Sequence, residues 1–130
     1  GKIPNLESPF DKGAFLEPTV VSNLDYQSRT SNEEIFGPVV TLHQFKTDDE
    51  AIEMANCTDY GLAGSVWTSD STRGKELAEK IETGMVWVNT WLHRDLRVPF
   101  GGVKDSGVGT EGGHWSLSFF SQPVNICVKE

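Results

Sequence analysis

Two stretches of this 130-residue chain hold side chains whose types and spacing can do chemistry. In the first, Asn32-Glu33-Glu34-Ile35-Phe36-Gly37-Pro38, paired acids and an aromatic precede a Gly-Pro turn. A carboxylate placed there can accept hydrogen bonds from the hydroxyls of a ribose while the ring packs on a flat ligand. The same residues also read as a charged turn with one core Phe. The second stretch, Pro99-Phe100-Gly101-Gly102-Val103-Lys104-Asp105-Ser106-Gly107, follows an apolar run. Its glycines let a backbone approach a ligand closely. Just before it stand Arg94 and Arg97. A guanidinium fork matches a carboxylate in bidentate fashion, so either arginine can bind an acidic ligand or form a salt bridge with Asp95 or another acid.

Other motifs carry less. Gly107 to Gly112 spells GxGxxG, but a dinucleotide fingerprint follows a strand, opens a helix and has an acid about 20 residues on. Here it follows a loop, so these read as turn glycines. Asn56-Cys57-Thr58 is a sequon in form; with no secretory leader visible, Asn56 reads instead as the end of a helix. His43, His93 and His114 show no metal-ligand spacing, and no metal site is expected. Cys57 and Cys127 form neither a CxxC pair nor a disulfide framework. Cys57 falls near a helix end whose dipole disfavours a thiolate. Neither cysteine reads as an activated nucleophile, and no catalytic residue is assigned.

The elements that must position these groups follow from periodicity. Pro18 interrupts the apolar run Ala14 to Val21 and confines any strand there to an edge or an end. Val39 to Phe45 reads as a strand. Thr47-Asp48-Asp49-Glu50 is a capping box, predicting a helix with Ala51, Ile52 and Ala55 inward. Leu62 to Thr68 is a second strand. Ser69 to Glu82 is a second helix, with Leu77, Ala78 and Ile81 inward and Gly84 as its C-cap. Met85 to Trp91 is a third strand. Strand, helix, strand, helix, strand predicts an α/β fold, a parallel sheet with crossover helices, and ligands of such sheets bind beyond the carboxyl ends of the strands. Residues 92–113 are a long glycine-rich loop. Val124 to Lys129 reads as a final strand, giving a main body over 1–123 and a terminal strand over 124–130.

Composition narrows the class. A chain this long can build one core, and 37% apolar residues with 13 glycines argue against disorder. The formal charge is −8, from 11 Lys and Arg against 19 Asp and Glu, with no basic stripe for nucleic acid. Residues 1–60 hold eleven acids and four bases, whereas 61–130 hold eight and seven, so an anion site belongs in the second half. No apolar run approaches the roughly 18 residues of a membrane span. A reducing, cytoplasmic setting is expected. The chain opens on Gly1, as a piece of a longer protein would.

Three motifs in register, EEIFGPVV at Glu33–Val40, YGLAGSVW at Tyr60–Trp67 and PFGGVKDSGVG at Pro99–Gly109, resemble the C-terminal part of an aldehyde dehydrogenase catalytic domain. The likeness covers nearly the whole chain. The loop Trp91-Leu92-His93-Arg94-Asp95-Leu96-Arg97, with Gly112-Gly113 and the tail Asn125-Ile126-Cys127-Val128-Lys129, is similar to the branch acting on 2-aminomuconic and 2-hydroxymuconic semialdehydes.

The resemblance implies an NAD-dependent (NADP is possible) oxidation of a small-molecule aldehyde to an acid. A cysteine thiolate attacks the aldehyde, hydride passes to nicotinamide, and a glutamate-activated water hydrolyses the thioester. It assigns Glu34 to the nicotinamide ribose, Phe36 to a place near the nicotinamide, Phe100 to the substrate pocket and Arg94 to the substrate tunnel. It also implies self-association through the terminal strand. The family's nucleophile and general base lie upstream of this stretch, so the chain alone is expected to be inactive. The family's usual Arg-Glu after SGxG is Thr110-Glu111 here. The competing class is a non-catalytic oligomerisation or structural fragment derived from the family.

Overall fold

A computed structural model describes all residues, Gly1–Glu130, as two compact units, Gly1–Thr58 and Asp59–Glu130.

The first unit is built on two parallel strands, β1 (Thr19–Ser22) and β2 (Val39–Leu42), in register from Thr19↔Val39 to Ser22↔Leu42. Each strand starts directly after a proline, Pro18 or Pro38, which cannot donate to a ladder but fits at its entrance. Thr19 N–H donates to the Pro38 carbonyl at 2.8 Å and locks the two entrances together. Burial alternates along both strands in phase, so Val20, Val40 and Leu42 share an exposed face. The connection holds one helical turn, α1 (Arg29–Asn32). Asn32 braces it by donating from Nδ2 to the carbonyls of Tyr26 (2.7 Å) and Ser28 (3.0 Å).

Helix α2 (Asp48–Asn56) follows from the capping box. The Thr47 hydroxyl accepts from Glu50 N–H at 3.2 Å, and the Glu50 carboxylate accepts from Lys46 N–H at 2.7 Å. Asp48, Asp49 and Glu50 in the first turn complement the helix dipole. Ala51 and Ile52 are half-buried as expected; Ala55 is exposed, and Met54 takes the inward place. The helix ends at Asn56. The Cys57 thiol beyond it donates to Asn32 Oδ1 at 3.2 Å, which ties α2 back to α1.

The second unit contains β3 (Tyr60–Gly61), β4 (Ala63–Val66), α3 (Ser71–Ala78), β5 (Met85–Val88), β6 (Val103–Lys104) and α4 (Gly113–Phe120). β4 and β5 are parallel, from Ala63↔Met85 to Val66↔Val88, with α3 as their crossover. β3 and β6 form a short antiparallel pair. The expected parallel strands and crossover helices are present, as two separate two-stranded ladders. α3 is shorter than its periodicity suggests. Asp70 is the N-cap, accepting from Thr72 N–H (3.0 Å) and Arg73 N–H (3.1 Å), and the helix stops at Ala78. Leu77, Ala78 and Ile81 are half-buried as expected. Gly74 is the buried residue of α3; a Cβ there would lie 2.7 Å from Val88 Cγ1, so the glycine lets the helix press onto β5.

Gly84 is not a helix cap. Its N–H donates to the Gly61 carbonyl at 3.0 Å, and a Cβ on it would fall 1.6 Å from the Gly101 carbonyl oxygen. Three backbone segments cross there, and only a residue without a side chain permits it.

Trp87, 7% exposed, is the one buried large apolar residue. The core that the chain length predicts does not close: large apolar side chains are left exposed in both units. Helix α4 has no sequence signal before it, because Gly112 (φ 100°) occupies its N-cap without a capping side chain. The strand expected over 124–129 does not form. Val124, Ile126 and Val128 keep their two-residue alternation but are exposed, at 79%, 81% and 81%, and pair with no other strand of the chain. No helix is long and apolar enough to cross a membrane.

Candidate functional site

In the first unit the candidate group lies between α1 and β2. Arg29 Nε bonds to Glu33 Oε2 at 2.6 Å, one helical turn away, so the first acid of the pair is consumed locally. Glu34 is exposed beside it and lines a cavity of about 380 Å³ with Phe36 and the start of β2. Phe36 stands in the left-handed region at φ 53° and is 91% exposed. A bulky residue there is an outlier, and the turn that imposes it, closed by Val39 N–H to the Gly37 carbonyl at 2.8 Å, holds the ring outward. Phe36 is therefore not a core residue of this unit, which removes one of the two readings of the motif. A carboxylate and an outward ring on one short turn can accept from the hydroxyls of a ribose and pack on the flat ring it bears.

The second unit assembles a different group. Trp87 is fixed in β5, and its indole N–H donates to the His93 carbonyl at 2.7 Å. Trp91 packs edge-on against it at 4.9 Å between centroids. These contacts set where the polypeptide leaves the sheet, and Arg94 is the next residue. The loop is then closed on itself. Phe100 and Glu111 exchange both backbone hydrogen bonds at 2.8 Å, and Gly113 N–H donates to the Leu96 carbonyl at 3.0 Å. A Cβ on Gly112 would meet the Val98 carbonyl oxygen at 2.1 Å, and one on Gly113 the Arg97 carbonyl oxygen at 2.7 Å. The diglycine thus allows the arginine loop to lie directly on the start of α4.

Arg94 and Phe100, both assigned to a substrate site by the sequence, are in contact: the guanidinium carbon lies 4.1 Å from the centre of the Phe100 ring. Phe100 also lines a cavity of about 570 Å³ with Leu62, the glycine loop 106–111 and the Phe119–Phe120 pair. That volume is in the range of small-molecule sites. The two arginines differ. Arg97 is held by Asp95, its Nε within 2.9 Å of Oδ1. This pairing lowers the Asp95 carboxyl below its ordinary value and raises Arg97. Arg94 has a single long contact to an acid, 3.6 Å from Nη2 to Glu111 Oε2. Sequence reasoning offered Asp95 or another acid as an alternative partner for Arg94; the structure gives Asp95 to Arg97 and Glu111 to Arg94. Glu111 itself was not singled out, because it stands seventeen positions from Arg94 and its approach depends on its backbone bridge to Phe100, for which no local signal exists.

The glycines of GxGxxG serve turns and close packing, as expected. Gly109 (φ 86°) faces the Phe119 ring, and a Cβ there would come within 2.3 Å of it. No group of three or more His, Cys, Asp or Glu is arranged to hold a metal.

The profile of the aldehyde dehydrogenase family matches residues 1–126. The chain belongs to the aldehyde dehydrogenase family. Among its relatives, the 2-aminomuconic 6-semialdehyde dehydrogenase of a Pseudomonas species is 45% identical over 129 residues, 99% of this chain and 26% of the relative. The human 2-aminomuconic semialdehyde dehydrogenase is 45% identical over 117 residues, 90% of this chain and 24% of that protein. The chain thus spans about a quarter of the length of the curated relatives it matches. Among solved structures, a Mycobacterium tuberculosis aldehyde dehydrogenase complexed with NAD+ superposes with a TM-score of 0.82 at 39% identity, covering 95% of this chain and 26% of that one. The Staphylococcus aureus betaine aldehyde dehydrogenase in complex with NAD+ gives 0.77 at 40% identity, covering 90% and 25%. These members of the family are oxidoreductases, and the α/β architecture described above is theirs in part.

Proposed function

We propose that this chain is the C-terminal portion of an NAD(P)-dependent aldehyde dehydrogenase that oxidises an open-chain semialdehyde with a carboxylate at its far end, of the muconic semialdehyde type, to a dicarboxylic acid. The observation that carries this reading is the pairing of Arg94 with Phe100 while Asp95 occupies Arg97. An arginine lying on an aromatic ring beside a cavity keeps donors for a ligand carboxylate. The names of the relatives support the same substrate class.

Glu34 and Phe36 are the residues that hold the cofactor: the carboxylate accepts from ribose hydroxyls and the ring packs near the nicotinamide. When bound, the cofactor supplies the hydride acceptor. Phe100 and Arg94 hold the substrate, Arg94 by the carboxylate at its far end. The nucleophilic cysteine and the general base come from the part of the enzyme outside these residues, so this chain alone does not turn over. The exposed apolar face of Val20, Val40 and Leu42 is covered by that remainder. Residues 124–130 pair as a strand with another subunit, which their exposed alternation supports. Two free thiols, Cys57 and Cys127, suit the reducing cytoplasm.

The test is steady-state turnover by the full-length enzyme with NAD+ and NADP+, on a muconic semialdehyde and on a neutral aldehyde of similar length. A kcat/KM no higher for the acidic substrate overturns the assignment.

A further inference from the structure

We propose that Glu111 is the internal counter-ion of Arg94, a specificity-determining residue whose carboxylate gives way to the carboxylate of the substrate. The inference rests on the reading that Arg94 receives that group.

Arg94 has two neighbours, and they act differently. The Phe100 ring supports the guanidinium at 4.1 Å and uses none of its N–H donors. Glu111 approaches at 3.6 Å, well beyond the roughly 2.7–2.9 Å of a formed charge-assisted hydrogen bond, and its side chain is 67% exposed. Its backbone, however, is fixed. The two 2.8 Å hydrogen bonds to Phe100 place the root of the Glu111 side chain across the bridge from the ring that carries Arg94. Gly112, at φ 100°, lets the next residue turn back, and Gly113 N–H donates to the Leu96 carbonyl at 3.0 Å, tying the segment to the arginine loop. The result is a rigidly rooted acid with a loose, replaceable contact. Arg97 is the contrast: Asp95, two residues away, grips it through both Nε and the backbone N–H at 2.9 Å. A ligand anion meets a satisfied pair at Arg97 and an exchangeable one at Arg94.

Two consequences follow for substrate choice. A neutral aldehyde leaves the Arg94–Glu111 pair undisturbed. An acidic aldehyde replaces Glu111 on the guanidinium, so the Glu111 charge opposes its binding and tempers the selectivity that Arg94 confers. Removing that charge therefore increases the preference for acidic aldehydes.

The experiment compares the full-length enzyme with its Glu111→Gln, Glu111→Asp, Arg94→Ala and Arg94→Ala/Glu111→Gln variants. The readout is the ratio of kcat/KM on a straight-chain aldehyde ending in a carboxylate to kcat/KM on a neutral aldehyde of the same length. Glu111→Gln is expected to raise the ratio about two- to five-fold, the span of an exposed ion pair. Glu111→Asp keeps the charge and moves the ratio less. In the Arg94→Ala background the Gln substitution has no effect on it. A ratio that Glu111→Gln leaves unchanged or lowers overturns the counter-ion, as does an equal rise without Arg94. Arg94→Ala leaving the parental ratio in place overturns the reading of Arg94 itself, so the two failures are distinct.

Discussion

The guanidinium of Arg94 lies 4.1 Å from the centre of the Phe100 ring, and the two residues reach that contact from opposite ends of a loop. One end is set by the Trp87 indole bonded to the His93 carbonyl, the other by the backbone bridge between Phe100 and Glu111. A cation on a ring gains about 0.5–1 kcal/mol at an exposed site. That holds the side chain in place without spending its hydrogen-bonding capacity.

Arg94→Ala in the full-length enzyme is expected to reduce kcat/KM for an acidic aldehyde about tenfold or more, because a hydrogen bond to a charged group contributes about 1.5–3 kcal/mol. The neutral aldehyde should lose far less. Arg97→Ala is the internal control: its donors belong to Asp95, so the acidic-to-neutral ratio should stay near the parental value. Paired kinetics on the two substrates decide it; equal losses for Arg94→Ala would make that residue structural.

What could be read in advance divides along physical lines. Thr47-Asp48-Asp49-Glu50 announced α2 because a capping box satisfies its own amides within four residues. The parallel strands after Pro38 and after Gly84 were legible for the same local reason, their β-branched and apolar runs. Gly84 was misread as a cap because the sequence cannot show that Gly61 and Gly101 cross beside it. Val124, Ile126 and Val128 alternate as a strand does, but alternation alone does not name the edge such a strand pairs with, and within this chain the segment stays unpaired. At the site, the family resemblance put forward Glu34, Phe36, Arg94 and Phe100, whereas which acid pairs with which arginine depends on the folded loop. In each pair of like charges, Glu33–Glu34 and Arg94–Arg97, one member is consumed by a near neighbour, Arg29 or Asp95.

That asymmetry gives a second test. Glu34→Gln in the full-length enzyme should raise the KM for NAD+ and slow hydride transfer, since a charge-assisted contact is about twice as strong as a neutral one. Its melting temperature should stay within about a degree of the parent, because surface changes away from packed features stay within about ±0.5 kcal/mol. Glu33→Gln should show the reverse pattern, with cofactor binding intact and only the exposed Arg29 pair lost. Cofactor titration and a thermal melt on both variants separate the roles.

The Arg97–Asp95 pair predicts an acid response with a defined sign. The hydrogen bond from Arg97 lowers the Asp95 carboxyl below 3.8, its ordinary value. The stabilisation is therefore fully present above that value and is lost as pH falls through the lower folded value. A carboxyl-detected NMR titration should find Asp95 titrating below the ordinary aspartate value. Arg97→Ala should return it to the ordinary range, and an Asp95 midpoint unmoved by that change would contradict the pairing.

Gly84→Ala should be among the most damaging small substitutions in the chain. The added methyl would fall 1.6 Å from the Gly101 carbonyl oxygen, and that atom belongs to backbone, so no rotamer can relieve it. Overpacking costs typically about 1–3 kcal/mol, occasionally more. Gly64→Ala, in the neighbouring strand, meets Ile81 Cγ2 at 3.5 Å and Thr83 Oγ1 at 3.8 Å, both ordinary contacts, and should be tolerated. Thermal melts of the two variants should differ by several degrees, with Gly84→Ala the lower.

Residues 1–130 alone should form no NADH with any aldehyde. Splitting aldehyde oxidation into thiolate attack and hydrolysis needs a nucleophile and a base within hydrogen-bond reach of each other. Cys57 does not meet that need: its thiol is engaged by Asn32 Oδ1 at 3.2 Å and the Met54 carbonyl at 3.3 Å, with no basic side chain among these partners. Cys127 lies in the exposed tail beside Asn125. Adding the purified chain to NAD+ and a panel of neutral and acidic semialdehydes, and following absorbance at the NADH band, gives the answer directly. Saturable NADH formation that survives replacement of both cysteines by Ser would show chemistry these residues are not expected to perform. Formation abolished by Cys57→Ser would instead identify that thiol as a nucleophile and overturn the view that the reactive cysteine lies elsewhere in the enzyme.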